Sequence, residues 1–167
     1  DHPRRRIALM FFFWTHVGAV ILLLGLLAIG LNVGSFDFAD INEADIPADI
    51  VVPAAVAIII GLGVKLAAFG FHIWLPYAHG SAPTPISALL SPAMIGIGAY
   101  ALFRLIVEFL PQTYADLSIW LTIWGVGTMF YGGAMALMQD DIKRVFAYSS
   151  ISQMGYLLFG IGSISTL

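Results

Sequence analysis

Residues 65–76 read KLAAFGFHIWLP: an ammonium at Lys65 and an imidazole at His72 in an otherwise oily run. A second imidazole, His79, follows just beyond Pro76. A lysine facing lipid costs at least about 2.5–3.5 kcal/mol on insertion scales, so its expected place is a protein interior or a hydrated cavity. There an amine that gives up and regains a proton can act as a relay. The competing reading is structural: a lysine that snorkels to a boundary, or one paired with a helix elsewhere. On a continuous helix His72, at i+7, falls on nearly the same face as Lys65, about 10 Å along the axis. Water or another side chain must bridge such a gap. A neutral imidazole can accept at one nitrogen and donate at the other, which suits His72 to that task as well as to locking a helix end. For His79, near the interface, a structural hydrogen bond is the simpler expectation than transfer.

Other polar groups support this set. Arg104 and Glu108 stand at i, i+4 and are expected to pair, chiefly as structure, with Glu108 also placed to sit at the exit of a proton path. Lys143 and Arg144 follow Asp140 and Asp141, either of which suits a helix N-cap, though the local sequence favours an ordinary solvated turn. The run AYSSISQMGY carries Tyr148, Ser149, Ser150, Ser152, Gln153 and Tyr156. Ser149, Ser152, Gln153 and Tyr156 roughly share a helical face and invite water or partner-helix hydrogen bonds, with small-residue packing as the alternative. Heme ligation by His16 lacks a second histidine at a paired spacing. Cysteine is absent, which excludes disulfide, iron–sulfur ligation and thiol catalysis within this chain. Metalloprotease, Walker, dinucleotide and EF-hand motifs are missing, and no nucleophile has a base and orienter. The chain is expected to bind no cofactor of its own.

The elements that must position these groups are membrane helices. Of 167 residues 60% are hydrophobic and 10% charged, against about 25% charged in ordinary soluble domains, too few for a solvated coat. Mean hydropathy is +0.93. A net charge of −3 and the lack of a basic patch exclude a nucleic-acid partner. Five apolar stretches are long enough for the roughly 20 residues a helical span needs: 7–31, 50–75, 86–110, 117–138 and 145–164. The fold class is all-α, a polytopic transmembrane bundle whose path between the second and third spans is broken by Pro76, Pro83 and Pro85. Residues 35–49 carry five acidic side chains and no basic one, an outward loop with a short amphipathic turn. Arg4–Arg6 and Lys143–Arg144 fall on one side of an alternating five-helix path, the cytoplasmic side of a cell membrane by the positive-inside rule. The first apolar run is too long for a signal peptide, and the chain reads as a segment of something longer. No internal repeat is evident within it.

Three runs, KLAAFGFHIWLPYAHGSAPTPISALLS, GAYALFR and ALMQDDIKRVFAYSSISQMGY, occur in this order. Together they resemble the antiporter-like membrane subunits of respiratory complex I (M, N and L type). They are also similar to multisubunit cation/proton antiporter subunits (A and D type) and to membrane-bound hydrogenase subunits. FFFWTHVGAVILLLGLLAIGLNVGSFDF is similar to the preceding helix of that family, so the likeness covers nearly the whole chain. It implies helices six to ten of an inverted-repeat fold. In this family the lysine matching Lys65 is a central proton-transfer residue, and the histidine matching His72 follows it toward the break. Lys143 and Arg144 match a motif near the interfacial end. Three departures stand out. Tyr77 replaces a frequent aspartate, Gly96 stands near a position that often carries lysine or histidine, and the carboxylate of an earlier helix has no match here.

The resemblance implies proton translocation within a quinone oxidoreductase complex, with quinone and redox centres in partner subunits. Expected partners are other membrane subunits, lipid, and protons, with sodium an open alternative. A cation/proton antiporter, a hydrogenase subunit, a quinone-binding redox subunit and a non-transporting structural subunit are the competing readings. A continuous wet path through Lys65 and His72 would favour transport; a dry, directly paired Lys65 would favour a scaffold.

Overall fold

The structure, a computed structural model, describes residues 2–164. Within them the regular elements are all helical: α1 (His2–Val33), α2 (Phe38–Glu43), α3 (Ala48–Lys65), α4 (Trp74–Ser81), α5 (Thr84–Leu89), α6 (Gly96–Leu102), α7 (Pro111–Leu137) and α8 (Ile142–Ser163). Three runs are long and apolar enough to cross a membrane: Pro3–Val33, Ala48–Lys65 and Thr84–Glu108. The helices α7 and α8 lie where the fourth and fifth spans were expected, but their tyrosines, serines and other polar groups keep them off that set.

Two antiparallel hairpins organise the molecule, α1 with α3 and α7 with α8. Both rest on small residues spaced by seven. A Cβ on Gly18 or Gly25 would strike Val64 or the backbone around Ala54 and Ile58, and one on Gly61 would strike Gly18 and Leu22. On the second hairpin, Gly125 and Gly132 meet the backbone of Phe159 and Ser152, while Gly155 and Gly162 meet that of Met129 and Thr122. Lipid offers no hydrophobic drive for helix association, so this close backbone approach is what joins them. Asp141 caps α8 by accepting from the Lys143 backbone N–H at 3.0 Å, so the expected plain solvated turn is instead a cap.

The third span is continuous but irregular. Between α5 and α6 lies a π-helical stretch, Leu90–Ile95, and after α6 a second, Phe103–Glu108. The first contains Pro92, whose missing N–H interrupts regular α bonding; the wider π turn accommodates it. In the acidic loop, Asp37 caps α2, and Phe38 lies against Phe109 with ring centroids 4.0 Å apart. The five acidic side chains there are all exposed.

The break in the second span falls earlier than the prolines. The helix α3 stops at Lys65, and residues 66–73 pass through turns before α4 begins. Two residues in this segment have positive φ, Ala67 at 52° and Gly70 at 95°. Glycine takes that region freely; alanine must be held there by its surroundings. Pro76, Pro83 and Pro85 do not make the break. Pro76 lies in the first turn of α4, Pro83 caps α5 and Pro85 lies in its first turn, positions where a missing N–H costs nothing.

Candidate functional site

The site is the break and the helices that repair it. Ending α3 leaves its last carbonyls without helical partners. The buried Trp74 indole N–H donates to Val64 O at 3.0 Å, and Ala68 N–H donates to Gly63 O at 3.0 Å. The backbone of Phe69, in mid-break, is held at both ends from α7. Its N–H donates to Thr128 Oγ1 at 3.1 Å, and its carbonyl accepts from Trp124 Nε1 at 2.8 Å. Thr128 is fully buried and donates in turn to Trp124 O at 2.7 Å. The middle of the segment is thus clasped by side chains of α7.

His72 is buried at the α4 end of the break. Its Nε2 is 3.0 Å from the Tyr131 hydroxyl of α7, and its Nδ1 is buried with no partner among the described residues. The Phe69 and Tyr131 rings enclose the imidazole at centroid distances of 6.0 and 4.6 Å. His79 repeats the pattern one helix on. It is 2% exposed, its Nδ1 is 2.7 Å from Ser87 Oγ, and its Nε2 is buried without a partner. Each ring is therefore half satisfied, with one nitrogen fixed by a hydroxyl and the other buried without a hydrogen-bond partner among the described residues. A buried polar atom of this kind calls for water or transient protonation to complete it.

Lys65 differs. It is the last residue of α3 and exposed on the surface these residues form, and the single ion pair among the described residues lies elsewhere. Because α3 ends there, the i+7 helical register that aligned Lys65 with His72 does not apply; the chain turns between them.

The remaining candidates divide. Arg104 pairs with Glu108 in the second π stretch and lies 5.8 Å from the Phe109 ring centre, both side chains partly exposed, as a structural pair would be. Lys143 Nζ donates to Ala82 O at 3.1 Å, satisfying the carbonyl at the C-terminal cap of α4. Tyr148 lies beside Tyr131, ring centroids 6.5 Å apart. Ser152 donates to Met129 O at 2.9 Å, and Ser150 meets Ser91 at 2.9 Å. Ser149 is half-buried, whereas Gln153 and Tyr156 are exposed, so the expected polar face of α8 splits. His16 bonds Phe12 O of its own helix at 2.9 Å. Tyr77 is exposed, and a Cβ on Gly96 would meet nothing within 4 Å.

Trp124, Thr128, Tyr131 and Ser87 were not singled out by the sequence. The signal available for the first three was their spacing of four and three, which lines one face of α7.

The two basic clusters lie at one end of the bundle. Arg4 lines a groove with Ala78, Ser81 and Ala82, and Lys143 bonds that same Ala82. Glu43 and Asp45 of the acidic loop line a cavity with Gln112 and Thr113 at the start of α7, opposite the end from which α8 departs.

An all-helical bundle with apolar runs long enough to span a bilayer and a helix broken partway defines a polytopic helical membrane protein. A family model described as "NADH:quinone oxidoreductase/Mrp antiporter, TM" matches residues 2–166, and the chain belongs to that family. NAD(P)H-quinone oxidoreductase chain 4 3 of Picosynechococcus sp. is 36% identical over 167 residues, covering 98% of this chain and 30% of the relative. Chain 4-2 of Synechocystis sp. is 37% identical over 166 residues, with 98% and 30% coverage. This chain therefore spans about 30% of the length of these curated relatives. A chain of the membrane-bound sulfane sulfur reductase, an archaeal respiratory membrane complex, superposes with a TM-score of 0.89 at 27% identity, covering 97% of this chain and 34% of that one. A chain of the Mrp complex from Dietzia sp. DQ12-45-1b has the same fold, with a TM-score of 0.86 at 22% identity, covering 94% and 29%.

Proposed function

We propose that this chain forms part of a proton-translocating membrane subunit in a respiratory quinone oxidoreductase complex. The observation that carries the reading is the pair of buried histidines, each with one nitrogen bonded to a hydroxyl and one unpartnered, along a helix broken in mid-span. Such imidazoles can pass protons through water. Lys65 stands at the mouth of that break and is the central acid–base group. Its exposed face is covered, in this reading, by helices from the greater part of the subunit that the relatives contain beyond the matched segment. A carboxylate from there favours the charged amine when near and releases the proton when apart. All five expected spans cross a cell membrane, with Arg4–Arg6 and Lys143–Arg144 on the cytoplasmic side; their convergence on Ala82 supports a shared side. Quinone and redox centres belong to partner subunits, and protons are the cargo of this chain.

The test is Lys65→Ala in the complete native assembly, reconstituted in vesicles. Proton uptake should be lost while the assembly remains intact. Wild-type proton uptake in that variant would remove Lys65 from the mechanism and overturn the reading.

A further inference from the structure

Among the described residues, the Tyr131 hydroxyl is the one group bonded to a nitrogen of His72. It reaches the imidazole from α7, not from the broken helix itself. Beyond it, the ring of Tyr148 on α8 is next in line, and Tyr148 stands within electrostatic reach of Tyr131, Tyr77 and Arg144. Tyr131 is six residues before the end of α7 at Leu137, and Tyr148 six residues after the start of α8 at Ile142. At about 1.5 Å per residue both sit about 9 Å from the basic end of the bundle. The tyrosines therefore stand side by side at the level of a buried imidazole, about 9 Å short of the end marked by Lys143 and Arg144.

We propose that Tyr131 is a proton-transfer station, carrying protons from His72 toward water beside Tyr148; this rests on the proposed function above. The step balances without electron transfer. With His72 carrying its hydrogen on Nε2, a proton arriving from water bonds to the free Nδ1. The Nε2–H bond breaks as a bond forms to the Tyr131 oxygen, and the phenol releases its original proton to water on the Tyr148 side. Imidazole and phenol end neutral, the imidazole as its other tautomer, and ring and hydroxyl reorientation resets the pair. A phenol suits this role because it donates and accepts at one atom. The alternative is a positioning role, in which Tyr131 only fixes the orientation of the His72 ring.

The experiment uses the complete native assembly in vesicles, with proton uptake followed beside substrate turnover. Tyr131→Phe keeps the ring and removes the hydroxyl; uptake should fall roughly tenfold or more, as on loss of a positioned proton-transfer group. His72→Phe combined with Tyr131→Phe should be no worse than His72→Phe alone. Mono-, di- and trifluorotyrosine at position 131 preserve the hydroxyl while changing its acidity, so the uptake rate should change across the series. An uptake rate that stays constant across that series, or wild-type uptake in Tyr131→Phe, overturns the station. A double variant clearly worse than His72→Phe overturns the shared route. Lys65→Ala separates the two levels: loss of uptake there with wild-type uptake in Tyr131→Phe removes only Tyr131, whereas normal uptake in Lys65→Ala removes the function on which it rests.

Discussion

The two helix hairpins are joined by the same device and end differently. In each, small residues seven apart bring two backbones together: Gly18 and Gly25 against Ala54 and Gly61, Gly125 and Gly132 against Gly155 and Gly162. Yet α3 stops at Lys65, while α7 and α8 run unbroken for 27 and 22 residues. The difference sets a division of labour. The broken hairpin gives up helical hydrogen bonds, and the intact one replaces them. From α7 come Trp124 and Thr128 for the Phe69 backbone and Tyr131 for His72; from α8 comes Lys143 for the end of α4. An irregular backbone at membrane depth is tolerated only where protein or water satisfies it, and here the protein partner is a neighbouring pair of straight helices.

Breaking the platform should have the largest effect. Gly155→Leu drives a side chain into the Met129 backbone, and overpacking of this kind costs about 1–3 kcal/mol or more. The amount of assembled protein in membranes, measured by blotting and by detergent melting, should fall sharply, and more than for Gly160→Leu, whose Cβ would meet nothing within 4 Å. Next comes the clasp on the break. Thr128→Val retains shape but leaves the Phe69 N–H without its acceptor, at a cost of about 1–3 kcal/mol. Trp124→Phe strands the Phe69 carbonyl and should act similarly, with a smaller loss because that indole is only half-buried. Both should lower melting temperature and increase protease cutting within 66–73. A melting curve unchanged in Thr128→Val would show that the break is held by packing alone. Lys143→Met removes the bond to Ala82 O and should cost about 1 kcal/mol, read as a modest drop in melting temperature. The smallest effect is expected for Glu108→Gln, whose partner Arg104 is part-exposed like itself; exposed pairs contribute about 0–1 kcal/mol. A large loss there would move that pair out of the structural role.

The helices were readable because bilayer length and apolar runs leave little choice, and the stretches at 7–31 and 117–138 overlap α1 (His2–Val33) and α7 (Pro111–Leu137), whose starts lie five and six residues earlier. The position of the break was not. Prolines are visible in a sequence, but a left-handed alanine is not. Ala67 takes its positive φ in a segment clasped by residues 124 and 128, and nothing near position 67 announces them. The same reason hid Tyr131: its partner is 59 positions away, and a tyrosine in an aromatic-rich span looks like packing. Lys65 and His72 stood out as candidates because ionisable groups are costly at membrane depth. Their mutual geometry was misjudged because a helical register was extended through a segment that is not helical.

The seam between α7 and α8 has one more consequence. A methyl carbon does not fit at Gly125, Gly132, Gly155 or Gly162. The two rods therefore touch peptide to peptide at four levels, and a residue larger than glycine at any one of them would act as a wedge that splays the pair.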